Sequence, residues 1–153
     1  MDKTRQYEEL ARALEGLLAG EPDPIANAAN TAALLFQALP ELNWAGFYLL
    51  QGSELVLGPF QGKPACVRIA LGRGVCGTAA LQRSTVRVAD VHAFPGHIAC
   101  DVDSASEIVV PLIDEGQLRG VLDLDSPRIG RFELEDQRGL ERIAAIYLAA
   151  SRF

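Results

Sequence analysis

The sequence predicts an α+β fold, an antiparallel sheet flanked by helices. Three observations carry this. Segments near both ends repeat apolar residues at helical spacing, and most of the stretches between them read as short β-like runs. Gly- and Pro-bearing turns separate the two kinds of pattern. At 153 residues, 49% of them hydrophobic, the chain is long enough to bury a core, and with no repeat or linker it reads as one domain over residues 1–153.

The elements follow in order. Residues 2–19 place Tyr7, Leu10, Leu14, Leu17 and Leu18 on one helical face, and Gly20 stops the helix. Asp23 and Pro24 form an N-cap and first-turn pair for a second helix, which turns Ile25, Ala28, Ala32 and Leu35 inward and ends at Pro40. "WAGFYLL", "ELVLGPF" and "ACVRIAL" read as strands separated by turns at Gln51-Gly52 and Gln61-Gly62. "GRGVCGTAALQRS" is a short helix opened by glycines, and "TVRVAD" a fourth strand. "EIVVPLIDEG" and "QLRGVLDLD" pair as a hairpin around Glu115-Gly116, and a last helix from near Glu133 carries Leu140, Ile143, Ala144 and Tyr147. The order ααβββαβββα puts the terminal helices on one face of a central sheet and a long loop, about residues 91–106, over the other.

Composition excludes several functions. The net charge is −6 with Lys and Arg scattered, so no nucleic-acid surface is expected. No apolar run approaches a membrane span, and Met1 to Gly20 is amphipathic and not a signal peptide, so the expected setting is cytoplasmic, without a membrane partner. Three cysteines, Cys66, Cys76 and Cys100, do not make a disulfide framework. Cys66 in an apolar run and Cys76 in a small-residue turn fit buried thiols. Cys100 does not. It sits in the polar stretch "HIACDVDSASEIVVP" beside Asp101, Asp103 and Glu107, whose charges disfavour a thiolate.

Several chemistries compete for these residues. His92, His97 and Cys100 give H-x4-H-x2-C, which Cys66 or Cys76 would complete, but the spacing is not a recurrent zinc pattern and no metal is expected. His97, three residues before Cys100, is near enough to pair with it, though nothing in the sequence fixes that geometry. Asp123 and Asp125 share one strand face while Leu122 and Leu124 take the other. Under a loop lid two such acids need a cationic or hydrogen-bonding partner, and a ligand ammonium would serve. Glu107 opens the paired strand and can share their face. Trp44 and Tyr48, with Gly46 between them, read as an aromatic wall with a hollow.

Taken together, "NWAGFYLL", "LVLGPFQGKPAC", "GRGVCGTAA", "ADVHAFPGHIACD" and "GVLDLDSP" followed by "RF" resemble the free methionine-(R)-sulfoxide reductases, which have a GAF fold. The resemblance spans about residues 25–150. It implies that Cys100 is the catalytic cysteine, Cys66 the usual resolving cysteine and Cys76 an auxiliary one. It implies that Glu107, Asp123 and Asp125 are pocket carboxylates, with Trp44 and Tyr48 as the aromatic wall. The expected reaction reduces free methionine-(R)-sulfoxide through a cysteine sulfenic acid and then a disulfide, recycled by thioredoxin, with no cofactor. Glu107 is expected to donate the proton with Asp125 assisting, and Asp123 to hold the substrate ammonium. Many GAF domains pair through their terminal helices, which makes a homodimer an expectation too. The competing reading is a regulatory GAF module that binds an amino-acid-like ligand or senses oxidants through Cys100. The absence of an effector domain in the sequence favours the enzyme.

Overall fold

In a computed structural model that describes residues 2–97 and 102–153, the first helix, α1, runs Lys3–Leu18. The expectations for Cys100 and its immediate neighbours lie outside the described residues. Asp2 caps α1, its side chain accepting the Arg5 N–H at 2.9 Å. The buried stripe is Tyr7, Leu10, Ala11, Leu14 and Leu18. Leu17 falls at its margin and stays 47% exposed, against the expectation that it faces inward. Helix α2, Pro24–Ala38, is capped by Asp23, which accepts the N–H groups of Ile25 and Ala26. Ala28, Ala32 and Leu35 are fully buried, but Ile25 in the first turn is exposed. In its place the polar Asn27 and Thr31 are buried, Asn27 donating to the Glu21 carbonyl and to Ser151.

The sheet has six strands in the order β3-β2-β1-β6-β5-β4, every neighbouring pair antiparallel. They are β1 (Trp44–Gln51), β2 (Glu54–Gly62), β3 (Arg68–Ala70), β4 (Val86–Val88), β5 (Ser106–Asp114) and β6 (Gln117–Ser126). Two expectations are corrected here. Gln61-Gly62 is not a turn, because the β1–β2 ladder continues to Trp44 opposite Gly62. Gly62 is needed there: its φ is 128°, and a Cβ would lie 2.7 Å from both the Asn43 carbonyl and the Trp44 ring. The third strand covers only residues 68–70, so Cys66 precedes it in an irregular, half-buried segment. The β5–β6 hairpin turns at Glu115 and Gly116, both with positive φ, as a two-residue turn of this hand requires.

Strand alternation sorts the side chains into two cores. Ala45 and Phe47, Ile108, Val110 and Leu112, and Leu122 and Leu124 face α1, α2 and the last helix, α4 (Leu134–Ala150). The opposite face carries Trp44, Tyr48, Val109 and Val121, and it packs against the helix α3 (Gly74–Gln82) that crosses from β3 to β4. The loop after β4 begins with a single 3₁₀ turn at Val91–Ala93. Among the described residues no helix is long and apolar enough to cross a membrane.

A buried charge network joins the chain ends. Asp136 accepts from Tyr7 Oη at 2.8 Å, Lys3 Nζ at 2.7 Å, Arg131 at 3.1 Å and the Glu133 N–H at 2.8 Å. Burial pushes its carboxyl up, but these donors outweigh burial and hold it below the ordinary value of 3.8. Asp136→Asn leaves a guanidinium that is 3% exposed short of its counter-charge. The expected loss is about 3–5 kcal/mol of stability at neutral pH, read as a lowered denaturant midpoint. Because the folded-state pKa is depressed, Asp136 contributes fully only well above 3.8 and loses that contribution as pH falls through the folded value. Wild type and variant therefore converge in acid.

Candidate active site

The register of the central strands assembles the acids. Trp44, Asp125, Glu107 and Val88 lie in one cross-strand row over β1, β6, β5 and β4. Gly46, Asp123 and Val109 form the next row. The side chains of both rows point away from the terminal helices, so Glu107 (7% exposed) and Asp123 (5%) are buried on the face covered by α3. All three carboxylates thus meet on one face, as their strand spacing implied.

Directly opposed carboxylates repel, which favours a protonated Glu107. Burial raises the Glu107 carboxyl well above the ordinary range, and the charges of Asp123 and Asp125 raise it further. Burial also raises Asp123, although hydrogen bonds from Glu107 and Cys76 work the other way. Cys76, on α3, is buried with Sγ 4.0 Å from Glu107 Oε2. Burial and the nearby acids push its thiol up, which keeps it protonated.

A small cavity of about 50 Å³ opens above this row. Glu107 and Asp125 line it, with Trp44 and Tyr48 from β1, Arg73 and Cys76 at the start of α3, and His97 and Ser104 from the loop. His97 and Ser104 bracket Cys100 in sequence. Burial lowers the His97 pKa, with His92 adding to the effect, so its imidazole favours the neutral form. Asp123 is not part of the lining; it packs against Glu107 and Cys76 instead.

The aromatic wall differs from expectation in one respect. Gly46 leaves no hollow, because Trp44 stacks on Phe60 (centroids 5.2 Å apart) and on Tyr48 (5.9 Å). A Cβ at Gly46 would lie 2.8 Å from the Trp44 ring and from the Phe60 backbone. The glycine admits the neighbouring rings. Phe60, opposite Gly46 on the paired strand, completes this wall, and no local pattern in the sequence signals it. Arg73 was also missed; its position at the opening of a Gly-rich helix was the only hint.

The wall also holds the segment around Cys66. Tyr48 Oη donates to the Cys66 carbonyl at 2.8 Å, and Trp44 Nε1 to the Lys63 carbonyl at 3.1 Å. An ion pair from Lys63 to Asp103 (2.8 Å) and a hydrogen bond from Asn43 to Ser104 (3.0 Å) tie the far side to the loop. The ion pair is exposed on both sides and therefore weak enough to part. Cys66 is disulfide-bonded, whereas Cys76 is a free thiol. His92 is exposed, and among the described residues the histidines join no ligand cluster. A wider groove of about 840 Å³ lies between the end of α1, α4 and the C-terminal residues, away from this chemistry.

The six-stranded sheet, the helix pairing and the loop-covered cavity define a GAF domain, and a GAF domain family model matches residues 26–150. The chain is 56% identical to the free methionine-R-sulfoxide reductase of Escherichia coli, over 95% of this chain and 88% of the relative. The free methionine-R-sulfoxide reductase of Neisseria meningitidis, solved with its substrate, superposes with a TM-score of 0.94 at 47% identity, over 98% of this chain and 90% of that one. The Staphylococcus aureus protein, also solved with substrate, gives a TM-score of 0.91 at 49% identity, over 94% of each chain. The chain belongs to the GAF domain family and, within it, to the free methionine-R-sulfoxide reductases. It is accordingly an oxidoreductase.

Proposed function

We propose that this chain reduces free methionine-(R)-sulfoxide to methionine, with Cys100 as nucleophile and Cys66 as resolving cysteine. The observation that carries the proposal is the acid face of buried Glu107 and Asp123 and half-buried Asp125 beside the aromatic wall, in a cavity whose loop residues flank Cys100 in sequence. A sulfoxide sulfur becomes electrophilic once its oxygen accepts a proton, and a carboxyl raised as Glu107 is remains protonated to supply it. The substrate ammonium needs a negative partner. Asp125 lines the cavity and meets it directly, with Asp123 adding its field from behind. Once bound, the ammonium offsets the acids' field, and the loop thiol reacts more readily.

The electrons balance in three steps. Cys100 sulfur attacks the sulfoxide sulfur and takes its oxygen, becoming a sulfenic acid while methionine leaves two electrons richer. Cys66 then displaces water from the sulfenic acid to form a disulfide, which a dithiol reduces by exchange. Cys66 being disulfide-bonded while Cys76 stays a free, buried thiol supports Cys66 as the resolver. In this reading thioredoxin is the reductant, the setting is cytoplasmic and no cofactor takes part. Steady-state release of methionine from the free (R)-sulfoxide with excess dithiol tests it. A purely ligand-binding GAF module would show saturable binding and no methionine.

A further inference from the structure

The acid face has a part that the reaction leaves unexplained. Cys76 from α3, Glu107 from β5 and Asp123 from β6 converge from three elements, and one donor atom of each lies within 4.8 Å of the others. All three side chains are buried. Asp123 Oδ1 is fully enclosed and has no hydrogen-bond partner, although an ionisable oxygen so placed is costly to leave unsatisfied. The cluster therefore holds an orphan acceptor beside a thiol and a second carboxyl.

We infer that Cys76, Glu107 and Asp123 form a binding site for a thiophilic divalent cation of the zinc class, and that this ion excludes the sulfoxide substrate. One sulfur and two carboxylate oxygens make the donor set of a borderline-soft metal; calcium and magnesium prefer oxygen alone. Tetrahedral zinc ligands stand about 3.5 Å from one another, so the donors close in by about an ångström, within reach of side-chain rotation. Binding releases the Cys76 thiol proton and the carboxyl proton held at Glu107 to solvent, and two bonds from oxygen and one from sulfur take their place. Because Glu107 lines the cavity, the fourth coordination position opens toward it and takes water. The ion thereby occupies the acids that the proposed function gives to the substrate, and the inhibition, though not the binding, rests on that reading.

The test uses the full chain carrying Cys66→Ser and Cys100→Ser, so that Cys76 is the sole thiol, with cadmium and zinc ions as probes. Cadmium should give a thiolate charge-transfer absorption that saturates at one ion per chain, and zinc should displace it. Either ion should protect Cys76 from alkylation. Adding Asp123→Asn or Glu107→Gln should weaken cadmium binding tenfold or more, with circular dichroism checking that the chain stays folded. In the unsubstituted enzyme, zinc should inhibit competitively with the sulfoxide, and a chelator should restore activity. Absence of the absorption in the sole-thiol chain, with its acids intact, would overturn the site. So would cadmium binding that the folded Asp123→Asn chain retains in full. If the sole-thiol chain binds cadmium as described but the unsubstituted enzyme reduces no sulfoxide without metal, the site stands and the proposed function falls.

Discussion

In the proposed mechanism Cys100→Ser should abolish reduction of free methionine-(R)-sulfoxide even with excess dithiol, because no sulfenic acid can form without its sulfur. Cys66→Ser behaves differently. It should still release about one methionine per chain in a single turnover, since resolution follows the chemical step in the proposed sequence, and fail only on recycling. Cys76→Ser keeps multiple turnovers if Cys66 alone resolves, in line with a thiol that burial and three acids hold protonated. Quenched-flow counting of methionine released per chain separates the three. Multiple turnovers by Cys100→Ser would remove the nucleophile assignment.

If Glu107 is the proton donor, Glu107→Gln should lower kcat and kcat/KM together, by roughly 10²- to 10⁴-fold, because a donor's hydrogen bond to the sulfoxide oxygen strengthens as the S–O bond breaks. If Asp125 holds the ammonium, Asp125→Asn should mainly raise KM, since such a contact is similar in ground and transition states. Asp123→Asn falls between, acting on both through the shared proton. The pH profile carries its own sign. As donor, Glu107 must be protonated, and its pKa is raised, so kcat should fall as pH rises through that raised value. Asp123 titrates with it, and Glu107→Gln should remove this limb of the profile. If none of the three acid substitutions costs tenfold, about 1.4 kcal/mol, the acid face has no part in turnover.

The elements and their order were legible because period-two and helical patterns are local. Leu122 and Leu124 against Asp123 and Asp125 gave the face of β6, and that face gave the site. Element ends were less legible: the β1–β2 ladder runs on through Gly62, because a close approach to Trp44 decides it and no local turn signal does. Leu17 and Ile25 were misplaced at the margins of their helical stripes, where burial depends on what lies opposite. The Phe60–Trp44 stack over Gly46 was invisible for the same reason, since it joins two strands. Likewise, spacing placed Asp123 and Asp125 on one face but did not say which of them reaches the cavity.

The most direct test of the account is discrimination between free methionine-(R)-sulfoxide and its N-acetyl derivative, measured as kcat/KM with the same dithiol. The derivative keeps the sulfoxide and loses the ammonium. If Asp125, half-buried beside the buried Glu107 and Asp123, binds that cation, the loss leaves its carboxylate unpaired and costs on the order of 2–5 kcal/mol. The account predicts that kcat/KM for the N-acetyl compound falls by roughly 30-fold to several-thousand-fold. Equal values for the two compounds would contradict it.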